Sequence, residues 1–242
     1  MAKWQERAEL LFKTEGLQNL KNANVLVVGL GGVGSFAAEF LARAGVGTMT
    51  IVDGDVVDIT NINRQLPALH STEGMLKVDV VGDRLMDINP ELKLTRVQEF
   101  LSPERAFEIV NEAFDYVIDC IDSITPKLNL IIVAKRKRVK IISSMGAGGK
   151  MEAAKVKVSC ISNSTNCLLA KTIRKRLKEH KIDKLKVVFS SEIQDETSLK
   201  MTDGTNYKRS FYGTNSYMPG LFGLYAAETV IRYLLNHKNT TH

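Results

Sequence analysis

The 242-residue sequence predicts an α/β protein built on a doubly wound β-sheet, parallel in its N-terminal part. Short apolar, β-branched segments alternate with helical patterns through roughly the first 150 residues, as in parallel sheets. A cluster of glycines separates the first such segment from the first long helix, and an acidic residue ends the second segment. With 44% hydrophobic residues, the chain can bury one core, so we expect a single domain over residues 1–242.

The predicted elements of the first part are short strands separated by helices of ordinary length. The clearest strand is NVLVVG, a run of apolar residues that ends in glycine, and the helix over 74–88 is stopped by Asn89 and Pro90. Strands are predicted at 24–29, 48–53, 92–97, 116–120 and 141–144, and helices at 33–44, 74–88, 103–112 and 127–137.

The pattern changes after the glycine-rich stretch 146–149. Residues 154–161 alternate lysine with apolar residues, which is typical of a half-exposed strand, and a basic helix at 166–180 and a strand at 185–190 follow. We therefore expect the part from 151 to 242 to add antiparallel strands to the sheet. Residues 194–215 show no periodicity and are predicted to form an irregular loop, followed by a core helix over 218–235.

Composition excludes several classes of protein. No run of about 18 apolar residues occurs, and the N-terminus lacks a signal-peptide pattern, so no membrane association is expected. The three cysteines, Cys120, Cys160 and Cys167, lack the paired spacing of a zinc site and are too few for a disulfide framework. We therefore predict a cytoplasmic protein without zinc. The net charge of +6 is a mild bias towards polyanionic partners and does not identify a partner by itself.

The glycine cluster GLGGVG lies between a predicted strand and a predicted helix, the context of a Rossmann-like phosphate-binding turn. Gly29 permits the tight turn, Gly31 lets a phosphate approach the backbone, and Gly34 allows helix and strand to pack closely. Asp53 ends the second strand, where an acid can bind a ribose hydroxyl. Alternatively, the glycines serve only packing. The turn predicts a nucleotide but does not separate NAD from ATP.

Charged residues beside this turn favour ATP, because the phosphates must be neutralised during transfer. Arg64 and Lys77 follow the second strand and Asp122 follows the fourth, and all three are expected at the ligand-binding edge of the sheet. The predicted nucleotide-binding residues are Gly29, Gly31, Gly32, Gly34, Asp53, Asp55, Asn61, Asn63, Arg64, Gln65, Lys77, Asp122 and Ser123. Taken singly, Arg64 and Lys77 could be solvated charges and Asp122 a helix N-cap.

Together, GLGGVG, IVDGD, TNINRQ, Lys77 and DCIDS resemble the ThiF/MoeB/HesA adenylyltransferases related to ubiquitin-activating enzymes. The resemblance implies that ATP lies over the glycine turn, that Asn61, Asn63, Arg64 and Lys77 handle its phosphates, and that Asp122 holds Mg²⁺. It also implies a homodimer in which Arg7 completes the neighbouring site. Without the resemblance, Arg7 would be an exposed charge on an amphipathic helix.

The segments SSMGAGGK, KVVFSSE and GTNSYMPGLFGLYAAE resemble one branch of this family, the tRNA threonylcarbamoyladenosine dehydratases. The resemblance implies adenylation of the threonylcarbamoyl carboxylate on tRNA, followed by ring closure with net loss of water. It leaves open a sulfurtransferase-type partner protein and a monovalent cation near Gly146. The absence of zinc-binding cysteine pairs, and of a cysteine in 194–215, agrees with this branch.

The basic segment 171–186 fits a tRNA partner, although it could equally be a solvated helix face. Aromatic residues in the late loop could stack on a base or pack against a dimer partner; they are Tyr207, Phe211, Tyr212 and Tyr217. Three other functions remain open: activation of the Gly-Gly terminus of a sulfur-carrier protein, a catalytically idle nucleotide-binding module, and an NAD-linked dehydrogenase.

Overall fold

A computed structural model describes residues 3–202 and 210–236, which form a seven-stranded sheet in the order β3-β2-β1-β4-β5-β7-β6. The strands are β1 Asn24–Val28, β2 Thr48–Val52, β3 Lys93–Val97, β4 Tyr116–Asp119, β5 Ile141–Ser144, β6 Val156–Cys160 and β7 Lys186–Ser190. All neighbouring pairs are parallel except β6 with β7, which confirms the predicted doubly wound fold. The C-terminal part departs from the expectation in one respect, because it contributes a parallel strand, β7, as well as an antiparallel one.

Helices cover both faces of the sheet. They are α1 Glu6–Asn22, α2 Gly34–Ala44, α3 Lys77–Ile88, α4 Pro103–Ile109, α5 Ile124–Arg136, α6 Leu168–Glu179 and α7 Met218–Asn236. One apolar core lies under α1, α2, α3 and α7, and includes the fully buried Leu41 and Phe222. The other lies under α4, α5 and α6, and includes Leu130 and Ile173. None of the described helices is both long and apolar enough to cross a membrane.

Residues 194–215 contain more regular structure than predicted. Leu199–Met201 and Ser210–Tyr212 pair as antiparallel strands β8 and β9. These strands are only three residues long, and β8 is exposed along its whole length, so it lacks the alternation by which a half-buried strand is recognised. Tyr207, one of the predicted base-stacking residues, lies outside the described residues.

The strand order fixes where a ligand can bind. The chain winds outwards through β1, β2 and β3, then returns to the centre and winds the other way through β4 and β5. The connections that follow β1 and β4 therefore diverge, which leaves a crevice at the carboxyl ends of these two strands. The glycine turn follows β1 and the segment with Asp122 follows β4, so the fold places both at this crevice.

Candidate nucleotide-binding and catalytic site

The glycine turn is held by close backbone contacts. Gly29 has φ +88°, and a Cβ atom at Gly34 would lie 1.7 Å from the carbonyl oxygen of Gly29. Gly32 is crowded by Pro219, whose Cβ would lie 2.8 Å from an added Cβ. At Gly31 the nearest atoms belong to the Gln65 side chain, at 3.7 Å or more. Gly29, Gly32 and Gly34 thus meet packing requirements, whereas the backbone at Gly31 stays open to a ligand.

Gly34→Ala should destabilise the fold by about 1–3 kcal/mol, because an extra methyl group cannot be accommodated against the rigid Gly29 carbonyl. Gly146→Ala is the matched control, since its added Cβ would meet only ordinary contacts at 3.8 Å. We expect that change to stay within about 0.5 kcal/mol. Urea unfolding of both variants measures the difference, and equal midpoints would contradict the packing role of Gly34.

Asp53 ties the turn to the end of β2. Its two carboxylate oxygens accept hydrogen bonds from the backbone N–H groups of Leu30 (2.5 Å) and Asp55 (2.8 Å). Burial raises the pKa of Asp53, while the charge of Lys77 and the two N–H groups act in the opposite direction. The carboxylate therefore orients the glycine turn, a role in addition to the predicted contact with ribose.

Lys77 begins α3 and is buried, so its interpretation as a solvated charge is wrong. Its ammonium group forms an ion pair with Asp55 at 2.9 Å, in which the lysine side chain is 5% exposed and the aspartate 45%. A charge in this position is poorly screened by solvent. Asp55 thus holds a buried cation at the crevice.

The loop after β2 is braced by its own polar side chains. Asn61 is buried and accepts a hydrogen bond from the backbone of Asp58, while the Asn63 amide donates to the Thr214 carbonyl at 2.9 Å. Arg64 donates to the Thr60 carbonyl and to the Asn63 side chain, both at 2.9 Å. These contacts brace the loop, and the predicted contacts of Asn61 and Asn63 with phosphates stay a prediction.

Arg64 and Asp122 lie close enough to influence each other. Burial lowers the pKa of Arg64, and the Asp122 carboxylate acts in the opposite direction. Asp122 is exposed in the β4–α5 turn, where it accepts a hydrogen bond from Ser123 at 3.3 Å. The residue at the N-cap of α5 is Ser123, so the interpretation of Asp122 as that cap is wrong. An exposed carboxylate beside a phosphate crevice suits Mg²⁺, which binds one or two protein carboxylates together with phosphate oxygens.

Gln65 supplies a test of whether a nucleotide fits. Within the described part of the chain, its Oε1 atom is one of three buried side-chain acceptors without a hydrogen-bond partner. Such atoms normally find a partner, and this one adjoins the open backbone of Gly31. A donor group on a nucleotide would satisfy it.

Sequence reasoning missed a buried network beneath the site. Lys127, on the first turns of α5, forms an ion pair with Asp119 at 2.7 Å, and both side chains are fully buried. Ser143 donates to the same Asp119 oxygen and accepts from Lys127, while the other Asp119 oxygen accepts from the Ile121 backbone. The network therefore fixes the turn that carries Asp122. In the sequence, Lys127 lies between the polar residues Thr125 and Asn129, so no local signal marked it as buried.

Arg7 does not join the site of its own chain. It is exposed in the first turn of α1, two residues from Gln5, which approaches Gly45 at the opposite end of α2 from the glycine turn. That end of α2 leads into the start of β2, whereas the crevice lies at the carboxyl ends of the strands. Arg7 therefore lies away from the crevice of its own chain.

Cys120 follows β4 and packs behind the glycine turn, 3.1 Å from the position of a Cβ at Gly34. Burial raises the pKa of its thiol, which disfavours the thiolate form needed for nucleophilic attack. In residues 3–202 and 210–236, no three His, Cys, Asp or Glu side chains converge as a metal site.

Fold and site together define a nucleotide-binding α/β protein whose phosphate crevice holds two cations, Arg64 and Lys77, and the acids Asp53, Asp55 and Asp122. The ThiF family model matches residues 5–242, and the chain belongs to the ThiF family.

Two curated relatives cover nearly the whole chain. The tRNA threonylcarbamoyladenosine dehydratase of Bacillus subtilis is 39% identical over 237 residues, which is 95% of this chain and 93% of that protein. The protein of the same name from Haemophilus influenzae is 34% identical over 242 residues, with 95% and 92% coverage. The crystal structure of Escherichia coli tRNA N6-threonylcarbamoyladenosine dehydratase in complex with ATP is similar, with TM-score 0.87, 32% identity, and 97% and 96% of the chains covered.

Proposed function

We propose that this protein uses ATP to adenylate the carboxylate of threonylcarbamoyladenosine in tRNA and then cyclises the product, with net loss of water. The observation that carries the proposal is the convergence of Arg64, Lys77 and Asp122 on the crevice beside the glycine turn. Full-length similarity to the B. subtilis, H. influenzae and E. coli dehydratases supports the choice of substrate.

The chemistry has two balanced steps. A carboxylate oxygen of the substrate attacks the α-phosphorus of ATP, and pyrophosphate leaves with the electron pair of the broken bond. A nitrogen already tethered to the acyl group then attacks the activated carbonyl, loses its proton, and releases AMP. The second step needs no nucleophile from the protein, since the reacting atoms are held together at high effective concentration.

The protein contributes positioning and charge. Arg64 and Lys77 stabilise the negative charge that develops as pyrophosphate departs. Asp122 would hold Mg²⁺, which when bound neutralises phosphate charge. Asp53 orients the glycine turn on which the phosphates lie and, in the predicted arrangement, contacts the ribose.

A basic surface supports tRNA as the partner. Residues 135–140 and 168–186 together carry 13 of the 33 basic residues and two of the 27 acidic ones, which leaves the rest of the chain with 20 basic and 25 acidic. The two segments meet, because α5 packs against α6. Burial lowers the pKa of Lys135, and this pKa is also affected by the charges of Lys140 in the same segment and Asp183 in the other. The excess positive charge of the chain is thus confined to one surface.

Replacing Lys171 and Lys175 together with alanine should weaken tRNA binding and flatten its salt dependence. Both side chains are exposed on one face of α6, and the slope of log K against log salt falls by about 0.9 for each phosphate that the protein no longer neutralises. The matched control replaces the exposed Lys13 and Lys93, which lie outside the basic surface. Filter binding at several salt concentrations gives the slopes, and identical slopes for the two double variants would remove α6 from the interface.

The decisive assay compares acyl substrates. We expect AMP and pyrophosphate to form with threonylcarbamoylated tRNA, and mass spectrometry of the nucleosides to show the loss of one water. Unmodified tRNA and a small protein ending in Gly-Gly serve as controls. Pyrophosphate release with the Gly-Gly protein and none with modified tRNA would replace the proposal by sulfur-carrier activation.

We also propose a homodimer in which Arg7 completes the partner's crevice. Leu10 and Leu11 lie three and four residues after Arg7 on the same helix face, and are 73% and 76% exposed. An apolar surface beside a cation suits contact with a second copy. Mixing an Arg7→Ala variant with a Lys77→Ala variant should restore activity, because one crevice per mixed dimer is intact. If the Arg7→Ala and Lys77→Ala proteins exchange subunits and the mixture stays inactive, then Arg7 does not complete the crevice of the partner.

A requirement for Mg²⁺, the lack of a zinc ion and a cytoplasmic location stay predictions of the same proposal. A sulfurtransferase-type partner protein stays a prediction.

A further inference from the structure

Lys150 is a buried cation outside the ATP crevice. It lies in the loop 146–152 after β5, is 3% exposed, and donates hydrogen bonds to three main-chain carbonyl oxygens. These belong to Asn166 (2.9 Å), Ser190 (3.0 Å) and Glu192 (2.8 Å). One ammonium group therefore joins three chain segments: the loop after β5, the segment before α6, and the end of β7 with the residues that follow it.

The three carbonyl groups form a cage of the kind that binds small cations. Rings of main-chain carbonyl oxygens replace the hydration shell of K⁺ in selective sites, and an ammonium group has three donors to offer the same oxygens. Here each donor of Lys150 has one carbonyl partner. The Glu192 carboxylate accepts hydrogen bonds from the backbone N–H groups of Met151 and Glu152. Glu192 therefore holds the same loop in place through a second set of contacts.

A short chain of hydrogen bonds links this loop to the phosphate crevice. The Asn215 amide donates to the Lys150 carbonyl at 3.1 Å, and the adjacent Thr214 carbonyl accepts from Asn63. Asn63 in turn accepts from Arg64 at 2.9 Å. The position of the loop is therefore coupled to the position of a cation that the proposed function places on the phosphates.

We propose that the Lys150 ammonium group takes the place of a bound monovalent metal ion. Its three hydrogen bonds hold the loop 146–152 against the segment before α6 and against the end of β7 and the residues after it. The native protein then needs no K⁺ or NH₄⁺ at this position. Truncation of the side chain leaves the carbonyl cage without a cation and creates a site for one. Lys150 is a positioning residue, since it acts on Arg64 through Asn215, Thr214 and Asn63.

The test compares Lys150→Ala, Lys150→Met and the control Lys155→Ala at constant ionic strength in choline, ammonium, methylammonium or potassium chloride. Lys155 lies five residues away on an exposed ion pair with Glu152. In choline we expect Lys150→Ala to melt about 5 °C or more below the native protein. Ammonium, methylammonium or K⁺ should recover part of that loss, whereas Lys150→Met, whose apolar thioether side chain occupies most of the space, should not respond. The native protein and Lys155→Ala should melt alike in all four salts.

A turnover measurement separates positioning from simple stability. Well below the melting temperature, kcat of Lys150→Ala should fall and recover with ammonium, while the KM for ATP changes less than kcat. Native-like melting and turnover of Lys150→Met would overturn the proposal, as would a melting temperature of Lys150→Ala that is the same in all four salts. The turnover arm rests on the proposed function and the melting arm does not. Cation-dependent melting without turnover on modified tRNA would therefore count against the proposed substrate and leave the role of Lys150 standing.

Discussion

Replacing Lys77 with methionine is expected to lower AMP formation on threonylcarbamoylated tRNA by about 10²–10³-fold, the typical loss for one preorganised group that stabilises transition-state charge. Methionine is one heavy atom shorter than lysine and keeps an unbranched apolar side chain, so the buried position stays largely filled. The Lys77 charge is shielded from solvent and held by Asp55 at 2.9 Å. A triphosphate can compete with Asp55 for it, and the interaction becomes stronger as charge moves onto the departing pyrophosphate.

Single-turnover measurements at saturating ATP test this prediction, with thermal melting to show that the variant is folded. Lys93→Met is the matched control, because Lys93 is exposed at the start of β3, at the end of the sheet away from the crevice. It should react at the native rate. A Lys77→Met protein within threefold of the native rate would remove Lys77 from the reaction and leave it as a structural partner of Asp55.

Local signals made most of the fold predictable. Most strands of the main sheet are short, largely apolar runs bounded by glycine, proline or polar residues, although β3 is mostly polar and exposed. The strand ends differ from the prediction by at most two residues. The start of α3 is an instructive exception, because the pattern extends from Gly74 but the helix begins at Lys77. Backbone groups of Gly74 and Met75 bond to Val57 instead, so a tertiary contact withdraws these residues from the helix.

The site was predictable in its residues and much less so in its contacts. The glycine spacing and the acids at strand ends identify the crevice, because parallel strands bring their carboxyl ends to one edge. The contacts that decide the chemistry join distant residues: Lys77 with Asp55 across 22 positions, and Asn63 with Thr214 across 151. No periodicity encodes such pairs. The burial of Lys127 and Lys150 was hidden for the same reason, since lysine in a sequence usually indicates exposed surface.

The buried pair beneath the site gives the largest expected loss of stability. Lys127→Met should lower the free energy of unfolding by about 3–5 kcal/mol, because it leaves the Asp119 carboxylate buried without its cation. The neighbouring hydrogen bonds from Ser143 and the Ile121 backbone cannot replace a full positive charge. Lys155→Met is a close control: the Lys155–Glu152 contact has the same 2.7 Å length but is exposed, so little change is expected.

A double variant distinguishes the charge from the shape of the side chain. Lys127→Met combined with Asp119→Asn removes both charges, and the amide oxygen can still accept from the Ile121 backbone. It should recover much of the stability, since uncharged groups of similar volume replace buried ion pairs at little cost. Urea unfolding of both variants measures the recovery, and a double variant as unstable as Lys127→Met alone would show that packing outweighs charge here. Even a stable double variant should adenylate slowly, because the turn that carries Asp122 has lost the ion pair that fixes it.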